Sequence, residues 1–182
     1  MLLPKYKREI QYYWLNIDTE YYEWSFSKME VGDSQTYSNL SEEGKKRRNQ
    51  SCFLRIMVGD EVLAYETGTT KAITTICKVI DKREENDEII VKFEKCRDYE
   101  IFLTWDEMKS TKSLSDCNIV GFHRGTLFDL DKKYFDIIVG LLETINIAPD
   151  CVLSEYNDNE LDEINELVEE TLPGVIKPTW NG

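Results

Sequence analysis

Histidine is almost missing from this sequence, which contains a single one, His123, among 182 residues. A serine or cysteine nucleophile that depends on an imidazole base would have to be built around that one side chain. The chain also contains neither a GxSxG nucleophile turn nor a GxxxxGK[ST] phosphate loop. These absences argue against the common hydrolase and nucleotide-hydrolase mechanisms, and we expect a protein that is not an enzyme.

Cysteine is sparse and scattered. The five cysteines stand at positions 52, 77, 96, 117 and 151, and no two of them form a CxxC pair. An odd, dispersed set indicates reduced thiols rather than a disulfide framework. Because a single histidine is available to complete a zinc site, we expect no metal, and we expect no other cofactor.

Long apolar runs are absent as well. No stretch approaches the roughly 20 apolar residues that a membrane-spanning helix needs. The first residues, MLLPKYKREIQYY, lack the apolar core and the small-residue cleavage site of a secretory signal. We therefore expect a cytoplasmic protein without membrane association. A hydrophobic content of 41% and a charged content of 31% are typical of a globular domain.

The net charge of −13 is distributed unevenly. The segment from Glu143 to the C-terminus has ten acidic residues and one basic residue, so the preceding 142 residues carry only −4 and include 21 lysines and arginines. A body near neutrality can carry a local basic patch and approach phosphates. The overall acidity therefore does not exclude nucleic acid as a partner.

Runs of aromatic and β-branched residues predict most of the strands. The predicted strands are Ile10–Ile17, Val62–Tyr65, Ala72–Ile80, Ile89–Phe93, Tyr99–Leu103 and Leu127–Leu130, with a hairpin tip over Asp81–Glu88 and a helical turn over Trp105–Lys109. The polar stretch Glu30–Gln50 predicts a long loop with a short helix around Leu40–Arg48. We expect an α+β fold, in which a small, curved mixed sheet or open barrel of five or six strands is flanked by helices.

Two helices follow the predicted sheet. Apolar residues recur at helical spacing over Lys132–Ile145, and Asp131 precedes them as a candidate N-cap. A second amphipathic helix with an acidic face is predicted over Asn159–Leu172, before Pro173-Gly174. We expect a domain over residues 1–146, followed by an acidic linker and a C-terminal helix over residues 147–182.

Four short sequence motifs follow one another along the chain. They are YWLN at 13–16, GKKRR at 44–48, VGDEVLAYET at 58–67 followed by TTKAI at 69–73, and GFHRGTLFDL at 121–130. Together they resemble the EVE domain of the PUA superfamily, especially the version at the N-terminus of McrB-type modification-dependent restriction proteins. There the pattern runs YWLN, GD-x-V-x-GYES and QGSLFKL before a helix. The resemblance covers about residues 10–145.

The resemblance implies a function in reading modified bases, because the EVE domain is similar in fold to YTH and other PUA-like readers. Such readers flip a modified base of DNA into an aromatic pocket. The implied role is the specificity domain of an antiviral restriction system, whose nucleotide-hydrolysing motor and nuclease are in the same chain or in separate subunits. The base modification stays open between N6-methyladenine and 5-methylcytosine, and RNA stays open as the ligand. The ending KPTWNG lacks a clear terminal element, which favours a fragment of a larger protein.

The matched motifs suggest residues for a base pocket. The candidates are Trp14, Asn16, Trp24, Tyr65, Glu66, Thr67 and Trp105. Trp14 and Trp105 have the barrel core as an alternative role, and Asn16 has capping of the strand end. Trp24 is the stronger cage wall because it lies in a stretch interrupted by polar residues. Glu66 could accept from an exocyclic amine, although alternation along a strand turns it away from its two neighbours in the sequence.

The basic run suggests where phosphates bind. Lys45, Lys46, Arg47 and Arg48 are the only four consecutive basic residues in the chain. Their segment resembles the GNKR element that lies beside the nucleic acid in YTH domains; the alternative is a solvated helix face. Arg124 is a further candidate. The pair His123-Arg124 departs from the Gln-Gly of the family pattern, which puts the role of that glutamine in doubt.

Other function classes stay open. A lysine- or cysteine-based amidohydrolase, as in ASCH relatives of the same superfamily, predicts a product from modified nucleosides. A protein-interaction module, which the acidic C-terminal helix supports, predicts no affinity for nucleic acid.

Overall fold

The computed structural model describes residues 8–22, 24–121 and 124–147. The strands in this part are β1 Tyr12–Ile17, β2 Ser34–Ser38, β3 Glu61–Glu66, β4 Ala72–Glu85, β5 Glu88–Lys95, β6 Leu103–Thr104 and β7 Leu127–Leu130. The α-helices are α1 Gln50–Arg55, α2 Trp105–Ser110, α3 Asn118–Gly121 and α4 Lys132–Ile145, and 3-10 turns cover Phe26–Lys28 and Lys112–Leu114.

The strands form one mixed sheet in the order β2-β5-β4-β3-β1-β7, and β6 pairs with β4. β1 and β3 run parallel, from Tyr12 opposite Glu61 to Ile17 opposite Glu66. The other pairs are antiparallel. The sheet is open between its edge strands β2 and β7. The predicted α+β fold with a mixed sheet is confirmed, with seven strands instead of five or six.

Both faces of β1 are buried, and this decides where the site can lie. Leu15 and Ile17 face a core that includes Phe53 of α1. Trp14 faces the opposite way, into a core that includes Phe135 of α4. Because helices cover both faces, side chains of both alternating sets are removed from solvent, as is usual for parallel strands at the centre of a sheet. Exposed polar groups collect at the strand ends instead.

Helix α4 has the predicted bounds, Lys132–Ile145. Its apolar stripe packs on the sheet through Phe135, Ile138, Leu141 and Leu142. Asp131 takes the N-cap position but makes no capping hydrogen bond with its side chain. The predicted turn after residue 104 is the helix α2, which a capping box starts: Thr104 Oγ1 accepts from the backbone N–H of Glu107 and the Glu107 carboxylate accepts from that of Thr104.

The predicted loop between residues 30 and 50 is wrong in two respects. It contains strand β2, whose residues pair with β5 from Ser34 opposite Glu94 to Ser38 opposite Ile90. No helix forms around Leu40–Arg48; Leu40 and Lys46 instead form a bridge across a tight turn. The helix comes later, as α1. Backbone hydrogen bonds hold β2 at the sheet edge, and the polarity of its side chains does not reveal them.

The charged hairpin is longer than predicted. β4 continues through Asp81 to Glu85, and the turn consists of Asn86 and Asp87, with φ angles of 51° and 66°. Two such left-handed residues suit the twist of a two-residue hairpin. The predicted strand Tyr99–Leu103 is wrong apart from its last residue, because pairing with β4 starts at Leu103.

Predictions were also made for the C-terminal segment, for membrane spans and for the cysteines. The helix predicted over Asn159–Leu172 and the acidic linker from residue 148 onward lie outside the described residues. In the part that is described, no helix combines the length and the apolar character needed to cross a membrane. The described cysteines, Cys52, Cys77, Cys96 and Cys117, are free thiols.

Candidate functional site

A cavity of about 450 Å³ opens where β1 ends and β7 begins. We call it the first cavity; its walls include Asn16, Tyr22, Tyr37, Arg47, Thr67 and Thr126. The walls converge because three strand ends are joined there: the backbone N–H of Thr67 donates to Ile17 O at 2.8 Å, and that of Asn16 donates to Thr126 O at 2.7 Å. The volume is in the range of small-ligand sites, about 300–1,000 Å³.

The amide of Asn16 is held in one orientation. Its Oδ1 accepts from Trp14 Nε1 at 2.6 Å, and its Nδ2 donates to Gly125 O at 2.8 Å. Because indole is only a donor and a carbonyl only an acceptor, the two bonds fix which end of the amide points where. The role of Asn16 at a base edge stays a prediction, and the strand-end bonding that was its alternative is present.

Three aromatic rings pack together on one side of the first cavity. The centroids of Tyr22 and Tyr37 are 5.8 Å apart, and Trp24 lies 5.9 Å from Tyr22 and 5.7 Å from Tyr37. Tyr22 and Tyr37 line the first cavity, and all three rings line a smaller hollow of about 190 Å³ beside it. Trp24, the predicted cage wall, therefore lies behind the rings that face the first cavity.

The hydroxyl of Tyr37 is buried without a hydrogen-bond partner among the described residues. The side chain is 4% exposed, and burial raises the pKa of Tyr37 above its ordinary value, so the phenol stays neutral. An unpaired buried hydroxyl costs about 1–3 kcal/mol. Such atoms are rare in folded proteins, and this one stands in the wall of a cavity.

Arg47 organises the walls of the first cavity. Its Nε donates to Ser38 O and to Leu40 O, each at 3.0 Å. Its Nη2 donates to Tyr22 Oη at 2.9 Å, and its Nη1 to Thr126 Oγ1 at 3.4 Å. The guanidinium is half-buried and each of its three nitrogens donates within the protein, so the structure gives Arg47 a positioning role, while the phosphate contact stays a prediction.

The other three basic residues of the run are exposed. Lys45 forms an ion pair with Glu43 at 2.5 Å. Among the described residues, neither Lys46 nor Arg48 forms an ion pair, and Arg48 lines the first cavity. These side chains stand on the turn after β2 and not on a helix face.

Trp14, Tyr65 and Trp105 form a separate cluster under α4 and α2. Trp14 and Tyr65 are 0% and 2% exposed, with ring centroids 5.1 Å apart. Trp105 packs edge-on against both, at 6.5 Å and 5.7 Å. Burial raises the pKa of Tyr65 to about 12. The predicted pocket walls Trp14 and Tyr65 are therefore core side chains in this structure, because the strand face that carries them is covered.

Glu66 and Thr67 occupy different environments. Glu66 is 1% exposed and accepts from Ser27 N at 2.8 Å, Ser27 Oγ at 2.9 Å and Thr74 Oγ1 at 3.2 Å. Its carboxylate thus anchors the 3-10 turn and not a base. Thr67 lines the first cavity, and its Oγ1 donates to Ile17 O at 3.1 Å.

Arg124 lies at another opening, a cavity of about 570 Å³ that we call the second cavity. Its walls include Asn49, Ser51, Asn118, Arg124, Phe128 and Asp129. Cys52 also borders it, but burial and the nearby Asp129 raise the pKa of this thiol to about 11, which leaves it a poor nucleophile at neutral pH. His123 lies outside the described residues.

Sequence reasoning missed Tyr22, Tyr37, Asp18 and Thr126 as cavity residues. Tyr37 was not recognised because it lies in a polar stretch that predicts a loop. The available signal was the density of aromatic residues directly after β1, since Tyr21, Tyr22 and Trp24 follow the strand end within seven residues of Ile17.

The known protein family that matches this chain is described as the EVE domain, over residues 12–141. No curated protein matches the sequence well enough to count as a relative. Solved structures share the fold. The NMR structure of a Rhodopseudomonas palustris protein is 14% identical, with a TM-score of 0.58, and the match covers 76% of this chain and 97% of that one.

Two further structures extend the comparison to eukaryotes. A hypothetical protein from Leishmania major is 15% identical with a TM-score of 0.59, and the match covers 76% of this chain and 98% of that one. Human THYN1, in complex with DNA containing 5-methylcytosine, is 14% identical with a TM-score of 0.50, covering 73% and 98%. At these identities the likeness establishes the fold alone. Because the family match spans well over half of the sequence, the chain belongs to the EVE domain family.

Proposed function

We propose that this chain binds nucleic acid and recognises a modified base, which it holds in the first cavity. The observation that carries the proposal is the composition of that cavity: two tyrosine rings, an oriented amide and a threonine hydroxyl, with an exposed arginine, Arg48, at its side. The solved complex of the human fold relative with 5-methylcytosine DNA supports the same class of ligand.

The chemistry of the cavity suits a base turned out of its stack. A flipped base needs a ring to lie against and polar groups for its edge. Tyr22 supplies a ring that Arg47 holds in place, while Asn16 and Thr67 supply polar groups in the lining of the same cavity. Stacking on an aromatic ring is worth about 1–3 kcal/mol per base. A methyl group in a fitted pocket adds about 1–3 kcal/mol of discrimination.

The charges beside the cavity suit the backbone of a nucleic acid. Lys46 and Arg48 are exposed on the turn that carries Arg47. Contacts of such side chains with phosphates position a nucleic acid without reading its sequence. In this arrangement the basic run is divided: one arginine builds the pocket and its neighbours hold the backbone.

The sequence resemblance supports a finer role for the chain. The order of its four motifs is similar to that of McrB-type restriction proteins, in which such a domain supplies the specificity for modified DNA. In that role a nucleotide-hydrolysing motor and a nuclease, in the same chain or in partner subunits, act on the DNA that this domain selects.

Equilibrium binding to matched short duplexes tests the proposal. Three duplexes of one sequence carry no modification, a central 5-methylcytosine or a central N6-methyladenine, and each is titrated at two salt concentrations. We expect one modified duplex to bind about tenfold more tightly than the plain one. Both affinities should fall with salt while their ratio stays constant, because phosphate contacts carry the salt dependence. Equal affinity for all three duplexes would contradict modified-base recognition, and no binding would favour a protein-interaction module.

A further inference from the structure

The second cavity lies directly beside the first. Arg48 lines the first and Asn49 the second; likewise Arg124 lines the second and Gly125 the first. Consecutive Cα atoms are only about 3.8 Å apart. The two cavities are therefore neighbours at the place where residues 47–52 pack against residues 124–129, through contacts such as Arg47 with Thr126 and Cys52 with Asp129.

Gly125 forms a thin ridge between the two cavities. Its carbonyl accepts from Asn16 Nδ2 at 2.8 Å on the side of the first cavity. A Cβ at this position would lie 2.9 Å from Phe128 Cζ and 3.2 Å from Asn49 Nδ2, on the side of the second. The backbone φ of +153° also favours glycine. A side chain at residue 125 would thus displace groups of the second cavity, and its absence keeps the two openings close together.

The walls of the second cavity offer groups that nucleotides use. Phe128 presents a half-buried ring, and Asn49 and Asn118 present side-chain amides. Arg124 is exposed at the same opening. Aromatic rings stack on bases, amides pair with base edges, and arginine forms charge-assisted bonds with phosphates.

Among the described residues of this wall there is one acid, Asp129, and it is already engaged. Asp129 forms an ion pair with Arg55 and accepts from Cys52 Sγ at 3.4 Å. Its negative charge is therefore partly offset before any ligand arrives. The remaining charged group at the opening, Arg124, is a cation, which favours a ligand with a phosphate.

We propose that the second cavity binds the nucleotide next to the modified one on the same strand. This rests on the proposed function of the first cavity, and it makes recognition depend on one flanking position. The smaller hollow beside the first cavity has about 190 Å³, a third of the volume of the second cavity, so the second cavity is the better fit for a whole nucleotide. The chain therefore reads a modified base in a one-sided context.

Cavity filling combined with base removal tests the proposal. Ser51 is exposed on α1 and lines the second cavity, so Ser51→Trp fills it; Leu54→Trp, on the same helix at a site that is 62% exposed and outside the cavity, is the matched control. Both variants and the wild type are titrated with duplexes that carry a central 5-methylcytosine or N6-methyladenine, whichever the wild type binds more tightly, and with the plain duplex of the same sequence. Further duplexes lack the base on its 5′ side or on its 3′ side.

We expect wild type and Leu54→Trp to lose about tenfold in affinity when one of the two neighbouring bases is removed, and much less for the other. Ser51→Trp should bind the intact duplex about tenfold more weakly and lose nothing further with either abasic duplex. Equal responses of Ser51→Trp and wild type would overturn the second site. The ratio of the affinities for the modified and the plain duplex separates the two hypotheses. If this ratio exceeds one while Ser51→Trp responds like the wild type, only this inference fails. If the ratio is one, or no duplex binds, the proposed function fails with it.

Discussion

The guanidinium of Arg47 donates to the hydroxyl of Tyr22 at 2.9 Å, which joins the basic segment to the aromatic wall of the first cavity. The same guanidinium reaches the hydroxyl of Thr126 and two carbonyls at the end of β2, those of Ser38 and Leu40. Three separate segments of the chain therefore depend on one side chain. The shape of the proposed base pocket should respond to this residue more than to any neighbouring cation.

Replacement of Arg47 by lysine should weaken both folding and discrimination. Lysine keeps the charge but lacks the planar set of donors that reaches four acceptors at once. We expect the free energy of unfolding to fall by about 2 kcal/mol in urea denaturation, and the ratio of affinities for modified and plain DNA to approach one. Arg48→Lys is the matched control and should preserve both quantities. Unchanged discrimination in Arg47→Lys would contradict the positioning role.

Removal of the charge at Arg48 should weaken binding to every duplex alike. Arg48→Gln deletes an exposed cation beside the cavity, and Arg48 forms no ion pair among the described residues. The slope of the logarithm of affinity against that of salt concentration should become shallower by about one, since one phosphate contact is lost. Titrations at four salt concentrations measure it. A change in the modified-to-plain ratio, with no change in the slope, would argue that Arg48 reads the base.

Core and site tryptophans should differ in their effect on stability. Trp14 is fully buried and donates to Asn16 Oδ1, whereas Trp24 is half-buried at the smaller hollow. Trp14→Phe should lower the free energy of unfolding by about 2 kcal/mol, because volume is lost in the core and the hydrogen bond from the indole to Asn16 is removed. Trp24→Phe should cost less than about 1 kcal/mol. Urea denaturation of both variants measures these free energies of unfolding. A larger decrease in Trp24→Phe than in Trp14→Phe would contradict the placement of Trp14 in the core and Trp24 at the site.

Stability should decrease at alkaline pH. Burial raises the pKa of both Tyr13 and Tyr65 from 10.0 to about 12, and Asp60 adds to the effect at Tyr13. The folded protein then holds protons that the unfolded chain releases, so the stabilisation is complete below pH 10 and is lost as pH rises towards 12. The free energy of unfolding measured at pH 8 to 11.5 should fall less steeply in Tyr65→Phe. An identical slope in wild type and variant would show that Tyr65 does not contribute.

The sequence predicted the centre of the fold better than its edge. β1, β3, β7 and α4 have strong apolar patterns because they are buried against one another, and their existence and type were predicted correctly. β2 has one buried residue, Tyr37, among its five and is held by backbone bonds to β5. Such an edge strand leaves little trace in side-chain polarity, so it was predicted as a loop.

The predicted site residues divide between strand ends, which border cavities, and strand faces, which are buried in the core. Asn16, Thr67 and Arg48 line the first cavity, and Trp24 stands behind it. Trp14 and Tyr65 point into the core because α4 covers their face of the sheet, and no local pattern reports which face a distant helix will cover. The same limit applies to Arg47, whose partners come from three separate segments.

The most direct test of a base held in the first cavity compares two adjacent tyrosines. Tyr22 lines the cavity, whereas Tyr21 is 61% exposed and lies outside the first cavity, so Tyr21→Leu is a control for Tyr22→Leu. The measured quantity is the ratio of affinities for modified and plain duplexes of one sequence. We predict that Tyr22→Leu lowers this ratio about tenfold, towards one, while Tyr21→Leu keeps the wild-type value. A wild-type ratio in Tyr22→Leu would contradict the account.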